Sequence, residues 1–359
     1  MKLFCIVRYI SNILNVLNVI RTKRLVLNSN HDVSNYDGFE VADMRKKGFS
    51  LSESALYDLK HNDYREYVST WEAYQPRMRQ NPYFILSDDK YLFSMVFGKF
   101  IEVPKTYGLI EFGKIIPIDL EGINEDSIYD VIISMNGAVI KDKNGYNGYG
   151  VKVFDVKEKK LFLKGKIITK EQLSDILKEY KSGIIQSRIY QGEFENTIFD
   201  GSVNTIRVIS MRNKNDLRHE IVCATQRIGT KISEPVDNFS QGGLSALIDL
   251  DTGELSSATS YFTVDDKNNR IFVDKHPDSN AQIKGLVVPR WEEIKKQLVT
   301  LSDKLPYFEY IAYDVVLKDD GIALIEANMK SSIGHIQVHG GVRNALLGQK
   351  YREHGYLFG

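Results

Sequence analysis

Only two cysteines, Cys5 and Cys223, occur in the 359 residues, far apart and set among apolar neighbours. That excludes a disulfide framework and a Cys-rich zinc site, and it fits a reducing cytoplasm. Net charge is also lacking, since 47 Lys+Arg balance 47 Asp+Glu. There is no bulk electrostatic case for nucleic acid as a partner. Neither GxxxxGK[ST] nor GxGxxG occurs, so the two commonest nucleotide-binding loops are missing. No tandem repeat or low-complexity tract stands out. The apolar opening, residues 1–20, does not read as a membrane span: Arg8 interrupts it and Asn12, Asn15 and Asn18 recur through it. No small-residue cleavage site follows, so a removable signal peptide is not expected. What remains is the composition of an ordinary soluble protein, long enough for two or three domains.

The opening instead has helical periodicity. Leu3, Ile6, Val7, Ile10, Leu14 and Leu17 fall on one face, and Arg8, Ser11, Asn12, Asn15 and Asn18 on the other. Arg21, Lys23 and Arg24 come next. Two readings stand: a helix docked on the protein's own body, or an interfacial helix on an anionic membrane face. Docking is the favoured one, because buried amphipathic helices are the commoner case. Residues 28–82 read as mostly helical and polar, with Ser50 or Ser52 as a cap before a periodic run.

The most informative stretch is YIAYDVVLKDDGIALIEAN, residues 310–328. Apolar, β-branched and aromatic residues fill two short strands around Asp319-Asp320-Gly321. A three-residue loop closed by Gly321 in a left-handed conformation puts Asp314 opposite Glu326, with Asn328 on the same face. Facing carboxylates repel unless a cation lies between them, and two carboxylates plus an amide oxygen suit Mg²⁺. The alternative is an edge hairpin whose polar face is wet.

Three further segments carry candidate chemistry. In VIKDKNGYNGYGVKVF, residues 139–154, a strand ends at Lys141 and Gly145, Gly148 and Gly150 follow. Glycines let backbone N–H groups approach a polyphosphate, and a lysine supplies a point charge; a solvated surface turn is the plainer reading. In the strand at 203–211, Arg207 is a charge in an apolar run, and a buried guanidinium needs either phosphate or a carboxylate partner. GIIQSRIY, residues 183–190, reads as a strand with a loop. His276 sits in a loop, where a surface histidine is the ordinary case.

In number and order these segments resemble the ATP-grasp superfamily. Lys141 to Gly150 resembles its KPxxGxxGxG lid, with Asp142 where proline is usual. Asp89-Lys90-Tyr91 resembles the element that carries its other nucleotide lysine. Residues 183–190 resemble the linker that reads adenine, which implies roles for Gln186, Ser187, Arg188 and Ile189. Asp314, Glu326 and Asn328 resemble its magnesium triad. SVNTIRV, VDNFSQGGL, HPDS and VPRWEEI look like the sugar-transfer-associated branch, related to α-L-glutamate ligases and met among polysaccharide-biosynthesis proteins.

The resemblance implies an α+β ATP-grasp fold in which two lobes of mostly antiparallel sheet grip the nucleotide. The expected divisions are a helical region at 1–80, a small lobe at 81–182, a large lobe at 183–342 and a tail at 343–359. It implies ATP and Mg²⁺ as cofactors, with Lys90 and Lys141 on the phosphates and Arg207 and Lys141 as catalytic groups. The activity implied is that of a carboxylate–amine ligase working through an acyl-phosphate. A small-molecule carboxylate and an amine or sugar in surface-polysaccharide assembly would be its substrates. A small-molecule kinase and a non-catalytic scaffold of such an assembly are the alternatives. The implied location is the cytoplasm, with the inner membrane face open as a site of peripheral contact.

Overall fold

The structure, a computed structural model, describes residues 17–28, 38–80, 82–145, 148, 150–261, 270–329 and 331–358. The chain divides into two compact units, Gln80–Ser331 and a second formed by Met1–Arg79 with Ser332–Gly359.

Gln80–Ser331 contains two antiparallel sheets. The first is built from β1 (Thr106–Glu111), β2 (Lys114–Pro117), β3 (Ala138–Asp142), β4 (Lys152–Lys157), β5 (Lys160–Leu163), β6 (Lys166–Ile168) and β7 (Ser182–Gln186). Their order is β2-β1-β7-β3-β4-β5-β6. The second comprises β8 (Thr205–Arg212), β9 (His219–Ile228), β10 (Leu244–Leu247), β11 (Thr259–Ser260), β12 (Tyr310–Leu317) and β13 (Ile322–Asn328), ordered β11-β10-β9-β8-β12-β13. Every residue of β12 is buried, which is why it reads as a continuous apolar run and not as an alternating one. Asp314 is its one charged residue.

Each sheet is covered by helices whose sequences suit the task. Thr169 and Gln172 form a reciprocal capping box at the start of helix Lys170–Lys178. That helix buries Leu173 and Leu177 against Ile110, Ile140 and Phe154 of the first sheet. Helix Trp291–Asp303 buries Trp291, Ile294, Leu298 and Leu301 on the second, a three-to-four-residue spacing that makes one apolar stripe.

Helix Lys90–Phe97 joins the two. Asp89 caps it, its Oδ1 accepting from Tyr91 N and Leu92 N. Phe93 and Phe97 enter the core of the second sheet, with Phe97 edge-on to Tyr313 at 6.3 Å. The sequence reading groups this helix with the small lobe, yet its aromatic side packs in the large one. At its other end, Lys90 N donates to Lys143 O beside the glycine hairpin.

In the other unit, helices Gly38–Lys46, Leu51–Leu56, Thr70–Ala73 and Gln75–Arg79 meet Gly334–Gln337 and Leu346–Glu353. Ser50, not Ser52, is the cap of Leu51–Leu56. The Gln337 side chain brackets Val68, donating to its carbonyl at 2.9 Å and accepting from its N–H at 2.8 Å. Arg343 pairs with Glu72 at 2.8 Å. The tail thus packs with the amino-terminal helices. Residues 1–16, most of the expected amphipathic helix, lie outside the described residues. Among the described residues no helix is long and apolar enough to cross a membrane.

One buried acid affects stability directly. Glu195, on helix Glu193–Ile198, is fully buried, and Gln226 Nε2 lies 3.1 Å from both its carboxylate oxygens. Burial pushes the carboxyl up to about 8, against the hydrogen bond from Gln226, with the nearby Asp237 adding to the rise. The folded chain therefore holds a proton that the unfolded chain releases near its ordinary value of 4.5. Stability should fall as pH rises from that value towards about 8 and level off above it. In Glu195→Gln that slope should vanish. Denaturation curves across the same window test this, and an unchanged slope in the variant would assign it to another group.

Candidate active site

The site is organised on one face of the second sheet. β12 and β13 pair with Asp314 opposite Glu326 and Ala312 opposite Asn328, so both carboxylates and the amide share a face, as the sequence implied. The route to that pairing differs from the expectation. Leu317 pairs with Ile322, which leaves a four-residue loop with Lys318 N donating to Gly321 O at 2.9 Å. Gly321 is not left-handed. A bulge at Ile325 restores the register, because one extra residue on a strand shifts every later partner by one.

On the neighbouring strand, Arg207 lies opposite Asp314 on one side and Thr225 on the other. Its guanidinium straddles the Asp314 carboxylate, Nε on Oδ1 and Nη2 on Oδ2 at 2.6 Å, while Nη1 donates to Ser331 Oγ at 3.0 Å. Arg227 Nη1 donates to Asp314 Oδ2 at 3.1 Å and its Nη2 to Asp237 Oδ1 at 2.8 Å. Thr205 Oγ1 donates to Asp237 Oδ2. Burial favours the neutral form of Asp314, but the two guanidiniums outweigh it and hold the carboxyl below its ordinary value. Asp237 is raised instead, because burial outweighs Arg227 there.

Arg207 is thus a buried guanidinium whose fork is taken by a carboxylate; only part of it faces anything else. Arg227 and Asp237 escaped the sequence reading. The signal for Arg227 was available: it is a charge in the apolar strand EIVCATQRI, the pattern that singled out Arg207.

The lysines come from the first sheet and from the start of helix Lys90–Phe97. Lys141 stands on β3 and forms no ion pair or side-chain hydrogen bond with the described residues. Desolvation, then the adjacent Lys90 ammonium, push it down to about 8, while Glu326 draws it up. Lys90 Nζ donates to Gly145 O at 2.6 Å, so Lys90 holds the glycine hairpin as well as facing Lys141. Gly148 and Gly150 have φ of 70° and 72°, a conformation that penalises any side chain. A Cβ on Gly148 would lie 3.2 Å from Val236. Tyr180 Oη donates to Gly150 O at 2.6 Å. Residues 146, 147 and 149 of the hairpin lie outside the described residues.

The linker leaves β7. Gln186 is buried, its Nε2 3.4 Å from Thr106 Oγ1. Ser187 N donates to Lys105 O at 2.8 Å, and Ser187 Oγ accepts from Lys105 N at 2.9 Å. Arg188 is ion-paired with Asp155 and lies 4.7 Å over the Tyr190 ring. Ile189 follows, half-buried. The Arg188 side chain is therefore occupied, which leaves the backbone of 188–189 as what the linker can offer a ligand.

His276 has no free ring nitrogen. Nε2 lies 2.8 Å from Gly229 O, Nδ1 accepts from Asp278 N and Ser279 N at 3.2 Å, and the ring stacks on Phe199. It is a structural histidine.

The donor set fits a magnesium ion bound together with phosphate. Glu326 and Asn328 make no side-chain hydrogen bond to the described residues, and Asp314 Oδ1 accepts only one. No three His, Cys, Asp or Glu side chains converge among the described residues, so Asn328 and ligand oxygens would have to complete the shell.

Two antiparallel sheets, one carrying Lys141 with the helix residue Lys90 beside it and the other a carboxylate hairpin, define an ATP-grasp protein. A sequence model described as sugar-transfer associated ATP-grasp matches residues 70–348, and the chain belongs to that family. No curated protein matches it. Among solved structures, it resembles the ATP-grasp ligase PsnB complexed with precursor peptide PsnA2 and AMPPNP, at 11% identity and a TM-score of 0.36 over 76% of this chain and 61% of that one. It also resembles D-alanine–D-alanine ligase from Bacillus anthracis complexed with ATP, at 13% identity and a TM-score of 0.33 over 75% and 60%. D-alanyl-alanine synthetase A from Vibrio cholerae O1 shows 9% identity and a TM-score of 0.41 over 75% and 65%. The chain spans less than two thirds of the length of each, and their activities stay with those proteins.

The geometry separates the two facing carboxylates by role. Asp314→Asn leaves two buried guanidiniums without their shared counter-ion and should cost about 3 kcal/mol of stability. Glu326→Gln breaks no hydrogen bond to the described residues and should change stability by less than about 1 kcal/mol. Urea denaturation of both variants checks this; equal losses would mean that the arginines do not depend on Asp314.

Proposed function

We propose that the chain is an ATP- and Mg²⁺-dependent carboxylate–amine ligase. The observation that carries this is Lys141: a half-buried, desolvated ammonium with no ion pair to the described residues, beside a second ammonium and a carboxylate. Such a charge is costly unless a polyanion completes it. Lys141 and Lys90 would bind the phosphates, with hairpin N–H groups covering them. Asp314, Glu326 and Asn328 would hold Mg²⁺, which when bound offsets charge on the phosphate oxygens. Arg207 and Arg227 fix Asp314, and Nη1 of Arg207, on Ser331, is the part of that fork not taken by Asp314.

The ligase reading is preferred to a kinase on one ground. A hydroxyl acceptor needs a base, and none is left over among the described residues of the site: Asp314 is held by arginines, Glu326 would be taken by Mg²⁺, and His276 has both nitrogens occupied. A carboxylate acceptor is already ionised at neutral pH. Its oxygen attacks the γ-phosphorus, ADP leaves, and an amine then displaces phosphate from the acyl-phosphate. The family suggests a sugar acid or amino sugar of a surface polysaccharide as the substrate class, and a cytoplasmic setting. That part is analogy, since fold does not fix substrate.

Two measurements test the reading. ATP with Mg²⁺ should raise the unfolding temperature, and Lys141→Ala should lose most of that shift. Because Lys141 gives up its proton near 8, ATP affinity should be flat below that pH and fall above it, by up to about tenfold per unit. Lys141→Arg should flatten the decline; an identical profile in both proteins would remove Lys141 from the phosphate site.

The chemistry is tested by hydroxylamine. With a carboxylate substrate, ATP and Mg²⁺ it should trap a hydroxamate, and Arg207→Lys should lose most of it, because an ammonium cannot straddle Asp314 as a planar fork does. A stable phosphate ester with no hydroxamate would move the assignment to a kinase.

A further inference from the structure

The charge of the amino-terminal segment is one-sided. Residues 1–31 hold Lys2, Arg8, Arg21, Lys23 and Arg24 and no Asp or Glu, in a chain whose formal charge is zero. Its described portion is helical from 17 to 27. One side of that helix is seated: Leu27 is buried, Val26 is half-buried, and Lys23 Nζ lies 5.8 Å over the Trp71 ring. The other side is not. Leu17, Ile20 and Leu25 are 55%, 59% and 64% exposed. Arg21 and Arg24 are exposed among them and pair with no carboxylate among the described residues. At 100° per residue, Leu17, Ile20, Arg21, Arg24 and Leu25 fall on one arc.

A single exposed leucine needs no explanation. Large apolar side chains interleaved with exposed arginines on one helical face are the pattern of a helix lying in a membrane interface. Apolar groups enter the acyl boundary while guanidiniums meet phosphate headgroups, so the two halves of the pattern call for the same surface. An acidic protein or a nucleic acid would satisfy the arginines but leave Leu17, Ile20 and Leu25 in water. We infer that this face binds an anionic lipid bilayer and holds the protein peripherally on it. This does not rest on the ligase reading.

The test is co-sedimentation of the full chain with vesicles. Phosphatidylglycerol–phosphatidylcholine vesicles should carry the protein down, and pure phosphatidylcholine vesicles should not. Raising the salt should weaken the binding. Removing both guanidiniums with Arg21→Ala and Arg24→Ala should reduce partitioning about 25-fold, about fivefold for each. Leu17→Ser, Ile20→Ser and Leu25→Ser together should abolish it with the unfolding temperature unchanged. Equal binding to both vesicle types, no binding to either, or binding to nucleic acid in place of vesicles would overturn the inference. A drop of several degrees in the unfolding temperature of the triple variant would also overturn it, because the face would then be packed on the body.

Discussion

The Asp314 carboxylate, buried and held by two guanidiniums, is the interaction on which the site depends. It lies on the fully buried strand β12, where an unpaired charge would be prohibitive. Arg207 straddles it from β8 and Arg227 reaches it from β9. Three strands of the second sheet are therefore locked by one ion cluster as well as by their backbone ladders. Breaking such a cluster costs more than the cluster contributes, which makes it a poor source of stability and a strict determinant of geometry. Asp237 and Thr205 extend it, so the loop after β9 is fixed by the same charges.

The first sheet works by the opposite principle. Lys141 of this sheet, and Lys90 beside it, make no ion pair with the described residues, unlike the arginines of the second sheet. Helix Lys90–Phe97 is anchored by Phe93 and Phe97 in the second sheet's core, yet its first residue reaches the glycine hairpin through Lys90. A single helix therefore fixes where an ammonium of the hairpin stands relative to the carboxylates of β12 and β13. Lys141 registers both influences, being lowered by Lys90 and raised by Glu326.

Much of this was legible in the sequence, though not always for the right reason. The pairing of Asp314 with Glu326 came from a three-residue loop; the real loop is longer by one and the bulge at Ile325 takes up the difference. Hydrophobic patterning reveals strands, but bulges arise from local twist, which patterning does not encode. Arg207 was legible as a charge in an apolar strand, whereas the identity of its partner was not, since phosphate and carboxylate satisfy a guanidinium equally well. Arg227 carried the same signal in β9. The role of His276 was hidden because its partners are backbone groups, and backbone acceptors leave no trace in side-chain sequence.

The charge count of the site bears on how its ligands must bind under the proposed reading. Lys90, Lys141, Arg207 and Arg227 face Asp314, Asp237 and Glu326, four cations against three carboxylates. The arginines are spent on Asp314 and Asp237 except for Nη1 of Arg207, so among the described residues the lysines are the main cations left to attract phosphate, and Glu326 stands beside Lys141 to repel it. A polyphosphate alone would be pulled by two ammonium groups and pushed by a facing carboxylate. A divalent cation alone would meet Glu326 and an Asp314 already held by guanidiniums. Neither binds well by itself, and each removes the other's penalty: the cation turns Glu326 from a repulsion into a ligand, and the phosphate supplies the oxygens that the protein lacks. On that reading, metal and nucleotide would be reciprocally coupled through the charges of the site, and the two arginines would create the coupling by leaving Asp314 able to contribute to a metal without being able to bind one alone.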